Sequence, residues 1–198
     1  LLPSDRREET PSVSAEVAKL LPLKLVDVSE AFLSCTSNMV EKGLANNSVM
    51  LAISLPGFSG KIGTKTLDLE GAQMPRLGRE FAGAAKLAGA AGIFHSDELP
   101  AYGIEQKQVD ETRELLDGVD AFVLCLAPRW QAELALESVL NRTRISFERI
   151  PQEVRNVVVR KGAPEDGTTT PMRPLPGGAR MYPETDIPPL QIASDRWK

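Results

Sequence analysis

The sequence predicts an α+β protein, a two-layer unit whose antiparallel sheet carries helices on one face, followed by an irregular, extended C-terminal segment. Three observations predict it. The apolar patterns run strand, weak strand, helix, strand, charged helix, strand, helix. No crossover helix separates the first two strands, and parallel pairing would need one. A chain of 198 residues that is 42% hydrophobic can also build a core without staples, since a globule of this size buries roughly 70% of its unfolded surface.

Residues 1–24 begin polar and Pro-bearing and read as a linker or frayed start. Residues 25–150 read as one domain with a preceding helix. From Val28, the residues Val28, Ala31, Phe32, Cys35, Met39 and Val40 share one helical face, which Gly43 and Asn46-Asn47 close. "SVMLAISLPGF" is a short apolar run ended by Pro56-Gly57, a strand. Thr64 to Leu69 alternates weakly and reads as a second strand. Met74, Leu77, Phe81, Ala84, Ala85 and Ala88 then recur at helical spacing, with Gly89 and Gly92 as stops.

"GIFHSDE" is a strand running into a loop, and "IEQKQVDETRELLDG" a charged amphipathic helix ended by Gly118. "DAFVLCLAP" is the clearest inner strand. In the last helix, Trp130, Leu134, Leu136, Val139, Leu140, Thr143 and Phe147 form the expected apolar stripe, each large side chain contributing ~1.5–3 kcal/mol when buried. Residues 151–198 read as an extended segment. "PQEVRNVVVRKG" adds a helical turn or two, and the Pro-rich remainder has no period of its own.

A net charge of −4 argues against unselective nucleic-acid binding, which needs surplus Lys and Arg. A local basic face remains: Arg142, Arg144, Arg149, Arg155, Arg160 and Lys161 are candidate RNA contacts, against a solvated helix face balanced by Glu133, Glu137, Glu148 and Glu153. Cys35 and Cys125 read as small core hydrophobes in a reducing compartment. One His cannot assemble the usual zinc sets, so no metal site is expected. No stretch approaches a membrane span and no secretory signal opens the chain, so a cytoplasmic protein without a membrane partner is expected.

Three stretches carry candidate chemistry. "HSDELPAYG" puts an imidazole, two carboxylates and a Tyr after a strand; its plain reading is a capped turn with His95 on the rim. "LPGFSGKIGTK" resembles a phosphate loop, but it leads into a strand-like segment with no helix N-terminus to receive phosphate, so it is expected to be a glycine hairpin that lets a partner approach. In "GGARMYPETDIPPLQ", glycines allow a bend and prolines hold Glu184 and Asp186 on extended backbone. That segment reads as docking onto a surface outside this chain.

Taken together, "LPGFSGKIG", "GIFHSDELPAYGI" and "MRPLPGGARMYPETDIPPL" resemble, in order and from about Val26 to Leu190, the family of E-type subunits of archaeal glutamyl-tRNA(Gln) amidotransferase. The central region corresponds to that family's insertion domain, the GAD domain shared with bacterial-type aspartyl-tRNA synthetases. The resemblance implies a DCoH-like two-layer α+β unit. It also implies a parent protein that phosphorylates the glutamyl carboxylate of Glu-tRNA(Gln) with ATP and Mg²⁺. Ammonia from the partner D-type subunit of the amidotransferase then gives Gln-tRNA(Gln). The kinase chemistry of the family lies mainly in a cradle domain preceding the insertion. The chain therefore reads as a middle piece, inactive alone, with no catalytic or cofactor-binding residue assigned within it. Its C-terminal segment would return to that cradle, laying Arg180, Tyr182, Glu184 and Asp186 against it. The alternative is a stand-alone RNA-binding or protein-interaction module.

Overall fold

The computed structural model describes residues 14–67, 76–151, 153–157 and 169–174. Two apolar runs dictate the centre. β2 (Val49–Ser54) and β4 (Phe122–Ala127) pair antiparallel over their whole length, from Val49 opposite Ala127 to Ser54 opposite Phe122. Short edge strands flank them: β1 (Val26–Asp27) on β2 and β3 (Phe94–His95) on β4. The four-stranded order is β1-β2-β4-β3, antiparallel throughout.

Helices cover both faces of this sheet, not one as the sequence predicts. Leu51, Ile53, Val123 and Cys125 point to a core shared with α3 (Leu77–Leu87) and α5 (Arg129–Glu148). Met50, Ala52, Phe122 and Leu124 point the other way. There they meet a 3₁₀ turn (Ser29–Phe32), α2 (Asn38–Ala45) and α4 (Gln106–Leu115). The physical reason is legible in the strands themselves. "VMLAIS" and "FVLCLA" are apolar at successive positions, and successive side chains leave a strand on opposite faces. A one-sided sheet would alternate with polar residues.

Other elements also differ from expectation. The helix expected from Val28 is broken into the 3₁₀ turn and α2, and Met39 faces solvent. Residues 64–66 adopt no strand; β1 supplies the edge partner of β2 instead. On α5, the buried stripe is Ala132, Ala135, Leu136, Val139, Leu140 and Thr143, whereas Trp130, Leu134 and Phe147 are exposed. Small alanines let a helix approach a sheet closely, and weighting the stripe by bulk misses that. A short α1 (Ala15–Leu20) lies within the expected frayed start.

After Ile150 the sequence predicts a helical turn or two and then no regular structure. The described residues there instead form a second, two-stranded antiparallel sheet, β5 (Glu153–Val157) with β6 (Thr169–Pro174). Two-stranded ribbons are marginal alone. This one rests on α3, where Pro171 lies against Gly83. No helix of the described residues is long and apolar enough to cross a membrane.

Candidate functional site

The loop after β2 turns at Gly57 and Gly60, both at positive φ, and two carboxylates from elsewhere in the fold hold it. Asp120 accepts from the backbone N–H of Gly57 at 2.9 Å. Asp97 accepts from Gly60 at 2.9 Å and Gly63 at 3.0 Å. Ile62 is thereby driven into the core, fully buried, and its carbonyl accepts the N–H of Gly78 in the first turn of α3 at 2.8 Å. The glycine loop does meet a helix start, contrary to the sequence expectation. That start is brought in by tertiary contact from later in the chain, and Ile62 already caps it.

His95, at the end of β3, lies between Gly63 and Gly78. A Cβ on Gly78 would sit 2.6 Å from its Nε2, so only glycine admits the ring there. The backbone N–H of His95 donates to Glu98 Oε1 at 3.1 Å, while its Nε2 stands 3.7 Å from Glu98 Oε2. Its Nδ1 is buried with no hydrogen-bond partner among the described residues. Burial of the ring lowers its pKa below the ordinary 6.5; Glu98 and Asp97 oppose that shift and Arg76 adds to it. His95 is therefore no simple rim residue, being 8% exposed.

In front of the ring opens a cleft of about 280 Å³, lined by Gly63, Arg76, Gly78, Arg79, His95 and Glu98 among others. Arg76 and Arg79 are spaced to share one face of the opening turn of α3. Neither forms an ion pair among the described residues. The sequence reading names neither; their i, i+3 spacing was the one available signal, and nothing local ties them to "GKIG", thirteen residues earlier. Ser96 in the same "HSDELPAYG" loop is structural: it exchanges hydrogen bonds with Phe122 through its N–H (3.0 Å) and its Oγ (3.2 Å).

The expected basic face is dispersed. Arg142 on α5 and Arg155 on β5 are held by Glu80 of α3 and Glu153 of β5 in a four-membered ion-pair network whose side chains are at most 25% exposed. Burial disfavours ionising Glu153, but hydrogen bonds and charge from Arg142 and Arg155 outweigh it and hold its carboxyl below the usual carboxylate value. Arg144 donates from Nε (2.8 Å) and Nη2 (2.6 Å) to the Leu21 carbonyl just past α1. Arg149 is exposed. Arg160, Lys161, Arg180, Tyr182, Glu184 and Asp186 lie outside the described residues. Among the described residues no group of three or more His, Cys, Asp or Glu is placed to hold a metal ion.

No protein-family profile matches the chain. Individual relatives do. It is 39% identical over 195 residues to the E-type subunit of glutamyl-tRNA(Gln) amidotransferase from Methanopyrus kandleri, covering 97% of this chain and 29% of the relative. The protein of the same name from Pyrococcus furiosus is 44% identical over 171 residues, covering 85% of this chain and 25% of the relative. That of Methanocaldococcus jannaschii is 37% identical over 193 residues, covering 96% and 28%. The chain thus spans between a quarter and a third of the length of these curated relatives. Over that span, it belongs to the family of archaeal glutamyl-tRNA(Gln) amidotransferase subunits of the E type.

Proposed function

We propose that the chain is an accessory lobe of a tRNA-dependent amidotransferase, a GAD-like insertion that does no chemistry itself. The parent protein, acting with a D-type subunit in the cytoplasm, uses ATP and Mg²⁺ to phosphorylate the glutamyl carboxylate of Glu-tRNA(Gln); ammonia then displaces phosphate to give Gln-tRNA(Gln). The observation that carries this reading is the identity of 37–44% along most of the chain to relatives named for that amidotransferase.

The role of the lobe within the complex is architectural first. Arg142 and Arg155 have their guanidinium donors turned onto Glu80 and Glu153, so they hold helices and hairpin together rather than face a phosphate backbone. Arg149 is the exposed cation of the described cluster, and with Arg160 and Lys161 it is the candidate tRNA contact. Arg180, Tyr182, Glu184 and Asp186 remain candidates for lying against the catalytic cradle.

Filter binding of labelled tRNA(Gln) to the chain, at a series of salt concentrations, tests this division. Reversing Arg149, Arg160 and Lys161 to Glu should abolish a salt-dependent binding that Arg144→Ala leaves intact. Equal binding by the reversed variant contradicts the assigned tRNA contact and leaves architecture alone.

A further inference from the structure

We propose that the cleft in front of His95 binds one sugar-phosphate unit of a ribonucleotide, with Arg76 and Arg79 on the phosphate and Glu98 on a ribose hydroxyl. This goes beyond the reading as an amidotransferase lobe and does not depend on it.

The chain is acidic overall, yet this concavity gathers two guanidinium groups that pair with no carboxylate among the described residues. Guanidinium forks match phosphate oxygens, two parallel donors to two acceptors. A bare anion is a poor occupant, because Glu98 lines the same cleft and its side chain is 28% exposed. A cation is a poor occupant beside two arginines. A ligand with an anionic end and a hydroxyl end satisfies both: the phosphate meets Arg76 and Arg79, and Glu98 accepts from a hydroxyl.

His95 is nine-tenths buried and makes no side-chain hydrogen bond among the described residues. Its Nε2 edge lies against Gly78 and its Cε1 against Gly63, both of which line the cleft. The ring thus forms part of the cleft wall, where a bound ligand registers at His95. The volume of about 280 Å³ is near the lower limit of small-molecule sites, the size of a sugar phosphate rather than of a larger cofactor. An RNA strand and a free mononucleotide present the same chemistry here.

Amide NMR of the whole chain, titrated with ribose 5-phosphate, inorganic phosphate and ribose, tests the site. Ribose 5-phosphate should give saturable shifts at Gly63, Gly78 and His95, stronger than either component alone. Arg76→Ala with Arg79→Ala should weaken it roughly tenfold or more, and the lysine pair should fall between. Glu98→Gln should weaken ribose 5-phosphate while sparing or tightening inorganic phosphate. If the alanine pair fails to fold, the lysine pair and Glu98→Gln decide. A uridine trinucleotide tighter than ribose 5-phosphate assigns the site to RNA, and a weaker one to a free sugar phosphate. Shifts that never saturate, or affinity unchanged in the folded variants, overturn the proposal.

Discussion

Arg155 of β5 lays its guanidinium across both carboxylate oxygens of Glu80 in α3, with Nη2 2.6 Å from Oε1 and Nη1 3.1 Å from Oε2. The same guanidinium donates from Nε to Thr169 Oγ1 at 2.6 Å, so one side chain ties the two hairpin strands together and both to the body. Arg142 closes the ring from α5. Arg155→Ala leaves two partly buried carboxylates underpaired and should cost about 1–3 kcal/mol. Because a lone two-stranded ribbon is marginal, the loss should appear first as faster hydrogen exchange in β5 and β6. Exchange in β2 and β4 should barely change.

The His95 ring is held neutral by burial, facing Glu98 and Asp97 from its own loop and Arg76 from the start of α3. Its folded pKa lies below the ordinary 6.5, so below about that pH the unfolded chain binds more protons than the folded one. Stability should therefore fall as pH drops from 7 toward 5, a window above the range where Glu153 and Asp27 lose their pairing. Denaturant midpoints at several pH values measure this. His95→Gln should flatten the slope in that window.

Gly103 combines a φ of +80° with a Cβ position only 2.8 Å from the backbone N and Cα of Ser37. Backbone cannot yield as a flexible side chain can. Gly103→Ala should cost about 1–3 kcal/mol from strain and overpacking together, read as a lowered urea midpoint. Gly92, with nothing within 4 Å of its Cβ position, should tolerate the same change.

Burial pushes the Cys125 thiol up to about 11, whereas Cys35 is only partly buried. A thiol reagent at pH 8 should modify Cys35 alone in the native chain, and both after unfolding. Mass spectrometry of the labelled peptides distinguishes the two.

Much of the sheet was legible because apolar runs bounded by Pro-Gly or a charged turn have few alternatives. "VMLAIS", "FVLCLA", α4 and α5 all lie where patterning puts them. What hid the second helical layer was chemistry at the same positions: uninterrupted apolar residues in β2 and β4 state two buried faces, a different message from position and length. The hairpin of β5 and β6 was hidden for the opposite reason. Its strands are polar and Pro-bearing, and they are held by Arg155, Glu80 and Pro171 contacts that no local pattern encodes. The cleft was half legible. His95, Glu98 and the glycines stood out as motifs, but Arg76 and Arg79 join them only because Ile62 caps α3 across a separation that spacing rules do not span.

The most direct test of the amidotransferase assignment is functional exchange. The matching stretch of the Methanopyrus kandleri relative is replaced by this chain, and conversion of Glu-tRNA(Gln) to Gln-tRNA(Gln) is followed in the presence of the D-type subunit, ATP and Mg²⁺. The account predicts that the chimera makes Gln-tRNA(Gln), whereas deleting the stretch lowers the yield. A folded chimera that assembles with its D-type partner yet leaves Glu-tRNA(Gln) unconverted would contradict it.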